Sequence, residues 1–148
     1  MAARPPSTDE GVLRRWLLPA ALAALVIGVL DALWISFVAG PLYAAELGDR
    51  LADPVVGWAA AVFYVVHVVS VTVLAIRPAL DVDSLRVAAV HGLVLGVGAY
   101  ATFGFTNLAV LADWTLVLAV TDTLWGGFLT ATAAVVPVLV LRRTRHRD

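Results

Sequence analysis

Two aspartates stand inside long apolar runs, and each opens the same seven-residue pattern: Asp31-Ala-Leu-Trp34-Ile-Ser-Phe37 and Asp122-Thr-Leu-Trp125-Gly-Gly-Phe128. A carboxyl group in hydrocarbon is costly, so an acid in such a place marks a pathway, a ligand site or a hydrogen-bonded clasp between helices. Two carboxyls sharing a dry layer titrate as a coupled pair, which suits holding a proton, a cation or a lipid headgroup. Trp34 and Trp125 bring an indole N–H beside each acid, and a buried indole N–H needs an acceptor. Tyr64, His67, Tyr100 and Asn107 are the other polar side chains that fall within apolar stretches and could join a ligand- or proton-binding cluster.

The residue inventory removes much other chemistry. With no cysteine there is no disulfide, thiolate metal site, iron–sulfur cluster or cysteine nucleophile. All ten basic residues are arginine, so no lysine Schiff base can form. No serine–histidine arrangement, metal triad or phosphate-binding loop is present. A membrane enzyme acting on lipid would have to use one aspartate as general acid and the other as base. A haem between His67 and His91 would want both ligands at similar depth on facing helices. By rise arithmetic these differ by about 5 Å, so no cofactor is expected and each imidazole reads as neutral and hydrogen-bonded inside a bundle.

Such acids need helices to hold them. The chain is 61% hydrophobic and 14% charged with mean hydropathy +0.93, the composition of a membrane protein with a single domain. Four stretches exceed the roughly 20 residues that cross a hydrocarbon core: 16–39, 54–76, 85–111 and 114–141. Alternation is absent, so the spans are helices and the fold is all-α, a four-transmembrane-helix bundle. The division is a disordered cytoplasmic tail over 1–13, a transmembrane domain over 14–142 and a basic cytoplasmic tail over 143–148.

Charge sets the orientation. Arg4, Arg14, Arg15, Arg77, Arg86, Arg142, Arg143, Arg145 and Arg147 fall on one side of four spans, while Glu46, Asp49, Asp53 and Asp113 with only Arg50 fall on the other. Both termini are therefore expected on the cytoplasmic side. In the first external loop Pro41 can start a helix, and Tyr43, Leu47 and Leu51 recur at helical spacing opposite the charges. That segment reads as a short interfacial helix or equally as a polar loop. Trp16, Trp58 and Trp114 fall at span ends as headgroup anchors.

Depth arithmetic places Asp31 about 13 Å and Asp122 about 12 Å below the outer ends of their spans. Sliding one helix by about 3 Å levels Asp31 with Trp125 and Trp34 with Asp122. The expectation is a reciprocal clasp between the first and fourth helices, the two motif copies running antiparallel as in an inverted repeat. On the third helix Gly92, Gly96, Tyr100, Phe103 and Asn107 share a face, and Gly92 with Gly96 forms a small-xxx-small packing step. Pro137 should kink the fourth helix, with Thr130 and Thr132 available to bond freed backbone groups.

The segments Leu30-Asp-Ala-Leu-Trp34, Gly40-Pro-Leu-Tyr43, Arg77-Pro-Ala-Leu80, Thr106-Asn-Leu-Ala109 and Asp122-Thr-Leu-Trp-Gly126 resemble the bacterial membrane proteins grouped as domain of unknown function 2177. The resemblance covers nearly the whole chain after the opening tail. It implies a small multi-pass inner-membrane protein without implying an activity. The family pattern before Thr106 is Tyr-Asp-Leu where this chain has Phe103-Gly104-Phe105, so one family acid is absent and a mechanism needing three carboxylates is weakened.

Three functions follow in order: an accessory or structural membrane component with a buried Asp/Trp cluster, then proton- or cation-coupled binding or transport through Asp31 and Asp122, and last a lipid-directed enzyme. The expected partners are the lipid bilayer and either a second copy of the chain or other membrane subunits. Nucleic acid is not expected.

Overall fold

The structure is a computed structural model that describes residues 11–145. Four helices are long and apolar enough to cross a membrane: α1 (Arg15–Arg50), α2 (Gly57–Asp81), α3 (Leu85–Val110) and α4 (Leu116–Arg145). Among the described residues there is no strand, and the all-α four-helix architecture read from hydropathy is the one observed. The tail expected over 1–13 falls mostly on residues 1–10, and the end of the basic tail on 146–148; both lie outside the described residues.

The largest departure is at the outer end of α1, which runs on past residue 39 to Arg50. Its cause is a π turn at Ile35–Ala39, one of three; the others are at Leu13–Leu17 and Thr72–Ile76. Each ends two residues before a proline, namely Pro19, Pro41 and Pro78. Proline lacks an N–H and its ring collides with the carbonyl four residues back, and a widened turn relieves that collision without ending the helix. At Gly40 the N–H bonds to the carbonyl of Ile35, five residues back. A Cβ there would lie 2.6 Å from that same oxygen, so a side chain at Gly40 would force this turn to shift. The segment read from sequence as a loop or separate short helix is thus an α-helix, Gly40–Leu47, continuous with the first span, and it ends at Gly48 with φ +53°.

Local caps begin the later helices. The Ser84 hydroxyl accepts the Val87 N–H at the start of α3, and the Thr115 hydroxyl accepts that of Leu118 at the start of α4, both at 3.3 Å. Arg142 of α4 pairs with Asp83 in the α2–α3 turn at 2.7 Å.

Helix α4 is the centre of the bundle and touches the other three. It packs most closely against α3, because glycines let the two backbones approach. A Cβ on Gly92 would lie 2.7 Å from the Thr130 carbonyl oxygen, and one on Gly96 would lie 2.7 Å from Thr130 Oγ1 and run into the Gly126 backbone. Gly104, where the resemblance expects an acid, lies against Ala119, whose Cα is 3.0 Å from the position a Cβ would take. The close approach of α3 leaves no room there for a carboxylate side chain.

Helix α1 buries Pro19, Ala23, Ile27 and Asp31, one residue per turn. The first three face an apolar core concentrated in the inner half, with Ile76, Ala79, Ala88, Leu129, Ala134 and Val138 among its members. The stripe therefore passes from dry packing to a carboxyl at Asp31, with no further buried residue through Leu47. The outer part of α2 packs on α1 and α4, and the Thr72–Ile76 turn packs on α3 as well as on those two.

His91 has a structural task. Its Nδ1 lies 3.0 Å from the carbonyl of Leu74, for which Pro78, four residues on, supplies no N–H. Since a carbonyl only accepts, Nδ1 carries the proton and donates. His91→Ala should lower stability by about 1–3 kcal/mol through the unsatisfied carbonyl, read as melting in detergent. In a Pro78→Ala background the restored N–H should make the same change nearly neutral. Additive losses would show that the imidazole does something else. The corresponding expectation for Pro137 is corrected: Thr130 bonds His67 and Thr132 bonds the Phe128 carbonyl, so neither reaches the Ala133 carbonyl that Pro137 frees.

Candidate functional site: two intramembrane carboxyls among aromatic donors

Asp31 is 5% exposed, and both of its oxygens are taken. Oδ1 accepts the Trp125 indole N–H at 2.8 Å, and Oδ2 accepts the Tyr64 hydroxyl at 3.0 Å. One carboxyl thereby joins α1, α4 and α2. The half of the clasp that pairs Asp31 with Trp125 is present.

The reciprocal half is not. Trp34 lies flat on Trp125, ring centroids 4.3 Å apart and planes within 4°, so its face is committed to stacking. Asp122, 7% exposed, instead accepts a short hydrogen bond on Oδ2 from the hydroxyl of Tyr43. Tyr43 comes from the outer arm of α1 and meets Trp114 edge-on at 5.7 Å. Trp114 is half-buried against Tyr43 and Phe103 rather than turned outward as an anchor.

Tyr100 enters the cluster from α3 and meets Phe63 edge-on at 6.1 Å. Its ring lies against Gly126, whose Cβ would stand 2.6 Å from the Tyr100 Cβ. The Gly-Gly of the second motif is therefore what admits α3, and the first motif, with Ile35-Ser36 at those places, receives no such neighbour. His67 closes the cluster from α2: Nε2 is 3.0 Å from Thr130 Oγ1, and the ring stacks on Phe63 at 5.4 Å and meets Tyr100 edge-on at 5.9 Å. Asn107 is half-buried nearer the outer end of α3 and shares none of these hydrogen bonds.

Both acids are thus held by neutral donors. Among the described residues the arginines in ion pairs face Asp81, Asp83 and Asp113, never Asp31 or Asp122. Asp122 Oδ1 and the Tyr100 hydroxyl find no protein partner among the described residues. No set of three His, Asp or Glu comes together among them as a metal-holding group. His67 and His91 point to different partners, Thr130 within the bundle and the Leu74 carbonyl on an exposed face. A cavity of about 560 Å³ lies further out, between the arm of α1 and the α3–α4 connection, lined by Glu46, Gly48, Arg50, Asp113 and Thr115.

Tyr43 and Thr130 are the site residues that sequence reasoning placed elsewhere, Tyr43 on a surface helix and Thr130 at a backbone kink. The Gly40-Pro41 pair was the available signal for Tyr43, since a proline in a helix's first turn is tolerated and the helix can continue through it.

Neither the curated proteins nor the solved structures give a match. The model of a family of membrane proteins matches residues 16–139, a stretch that holds both aspartates, both motif tryptophans and every tyrosine of the cluster. The chain belongs to that family, described as Predicted membrane protein (DUF2177).

Proposed function

We propose that the protein is an accessory or structural component of the bacterial inner membrane, its termini cytoplasmic and its bundle locked by interhelical carboxyl clasps. The observation that carries this reading is Asp31, whose two oxygens are each engaged by a donor from a different helix. A carboxyl so engaged has a donor on each oxygen and serves to fix the mutual register of three helices. The arginines at the inner helix ends, Arg15, Arg77, Arg86, Arg142 and Arg143, support the orientation. Exposed apolar residues cover much of every helix and fit the lipid bilayer as the surrounding partner, with a second copy or another membrane subunit as the further one.

A second reading, proton or small-cation binding, is favoured by Asp122, which keeps one oxygen without a protein partner and has no neighbouring arginine. Four helices enclose little volume, so transport along this route would need a dimer. Purified protein in liposomes loaded with a pH-sensitive dye separates the two. The accessory reading expects no proton flux above empty liposomes and a lower melting temperature for Asp31→Asn than for Asp122→Asn. Flux that Asp122→Asn abolishes would replace it with the transport reading.

A further inference from the structure

We propose that the outer arm of α1, Gly40–Leu47 with the turn at Gly48–Arg50, is a hinged lid latched by the Tyr43–Asp122 hydrogen bond, and that it controls access to Asp122 from the outer face.

The arm has a hinge at each end. The π turn at Ile35–Ala39 and Gly40 lie at its base, and Gly48 with φ +53° ends it. Widened turns of this kind are weak points where helices bend. No residue from Ile35 to Leu47 is fully buried, so the arm is packed less deeply than the rest of α1. What fastens it is polar and aromatic: Tyr43 to Asp122, Tyr43 to Trp114, and the Arg50–Asp113 ion pair at the tip. Segments attached by a few such contacts open more readily than the core around them.

The arm covers something. Trp114, Leu118 and Asp122 recur every four residues and share one face at the start of α4, and both ends of that stripe touch Tyr43. Leu118, between them, is completely buried yet lies outside the inner apolar core. In the proposal the arm is its cover, since Tyr43 meets the residues one turn to either side. The cavity of about 560 Å³ runs along the same join, with Ala45, Glu46 and Leu47 on the lid side and Ala112, Asp113 and Thr115 on the other. The closed arrangement also encloses the Trp114 indole N–H without an acceptor. An enclosed donor of that kind opposes closure by roughly what a hydrogen bond contributes, so opening costs less than breaking the latch alone would require. The inference concerns access alone, so it stands or falls separately from any transport by Asp122.

The chain contains no cysteine, so Leu118→Cys supplies a single reporter thiol. In nanodiscs, its modification by a bulky cationic methanethiosulfonate should be slow, and Tyr43→Phe should raise the rate about tenfold, the population shift that follows loss of one hydrogen bond holding a closed state. Tyr64→Phe, which takes an equivalent hydroxyl from Asp31 instead, should leave the rate unchanged. An unaltered rate in Tyr43→Phe, or an equal rise in Tyr64→Phe, would overturn the lid. A second measurement leaves Leu118 intact: Ala45→Cys with Ala112→Cys is joined by a short bismaleimide, and Asp122 is then probed with a water-soluble carbodiimide and an amine, mapped by mass spectrometry. Labelling should occur after a monofunctional maleimide and vanish after the crosslink. Equal labelling in both, or none in either, would refute controlled access.

Discussion

Gly96→Leu is expected to disrupt the bundle, whereas Gly98→Leu, two residues along the same helix, should be tolerated. A first side-chain carbon at Gly96 already meets Thr130 Oγ1 at 2.7 Å and the backbone of Gly126, while at Gly98 nothing stands within 4 Å. Overpacking a tight interface costs about 1–3 kcal/mol. The upper end applies because the obstructing atoms include α4 backbone, which cannot rotate aside. The displaced Thr130 would also lose His67. Melting in mild detergent, followed by size-exclusion chromatography, reads the difference. Similar losses at both positions would mean that leucine is disfavoured in α3 generally and that the glycine contact is not the cause.

Asp31→Leu should be the most destabilising change at the carboxyl cluster. It orphans the Trp125 indole N–H and the Tyr64 hydroxyl together, and each unsatisfied buried donor costs about 1–3 kcal/mol. Intramembrane hydrogen bonds measured one pair at a time are weaker, about 0.6 kcal/mol on average. Trp125→Phe and Tyr64→Phe should therefore each cost less than Asp31→Leu. Asp31→Asn, which retains one acceptor oxygen, should fall between. Sodium dodecyl sulfate titration followed by tryptophan fluorescence orders the series. Greater stability in Asp31→Leu than in the parent would show that burying the carboxyl costs more than its two hydrogen bonds return, as happens for some buried ion pairs.

The span number was legible because apolar length and arginine placement report it independently. Close packing of α3 through Gly92 and Gly96 was legible because glycines four apart let backbones approach, but that α4 is the partner was not. Asp31 and Trp125 could be matched by rise arithmetic even with the Ile35–Ala39 π turn inside the count for Asp31, because one widened turn shifts depth by little against the adjustment of about 3 Å already allowed. The partner of Asp122 could not. Counting inward from a span end at residue 39 leaves Tyr43 outside the membrane, and only the π turn before Gly40-Pro41 carries the helix on to where Tyr43 reaches the acid. Trp34 was misplaced for a different reason: its N–H suggested a hydrogen bond, but a partner ring lay parallel at stacking distance. Hydrogen-bond complementarity can be read along a helix, whereas ring orientation depends on how two helices are rotated about their own axes.

A π turn holds one residue more than an α turn, so it advances the angular phase of everything after it by about 100°. The three such turns all lie in α1 and α2 or just before them, and α3 and α4 have none. The first half of the chain is therefore composed of phase-shifted segments and the second half of continuous ones. Loss or gain of one residue between Trp34 and Tyr43 would turn the Tyr43 face away from Asp122 by more than a quarter circle. The 51–56 connection, which carries no helix, can change length without any such rotation. Relatives should accordingly vary in length after Arg50 and keep a constant count from Asp31 to Tyr43, a spacing constraint imposed by angle instead of distance.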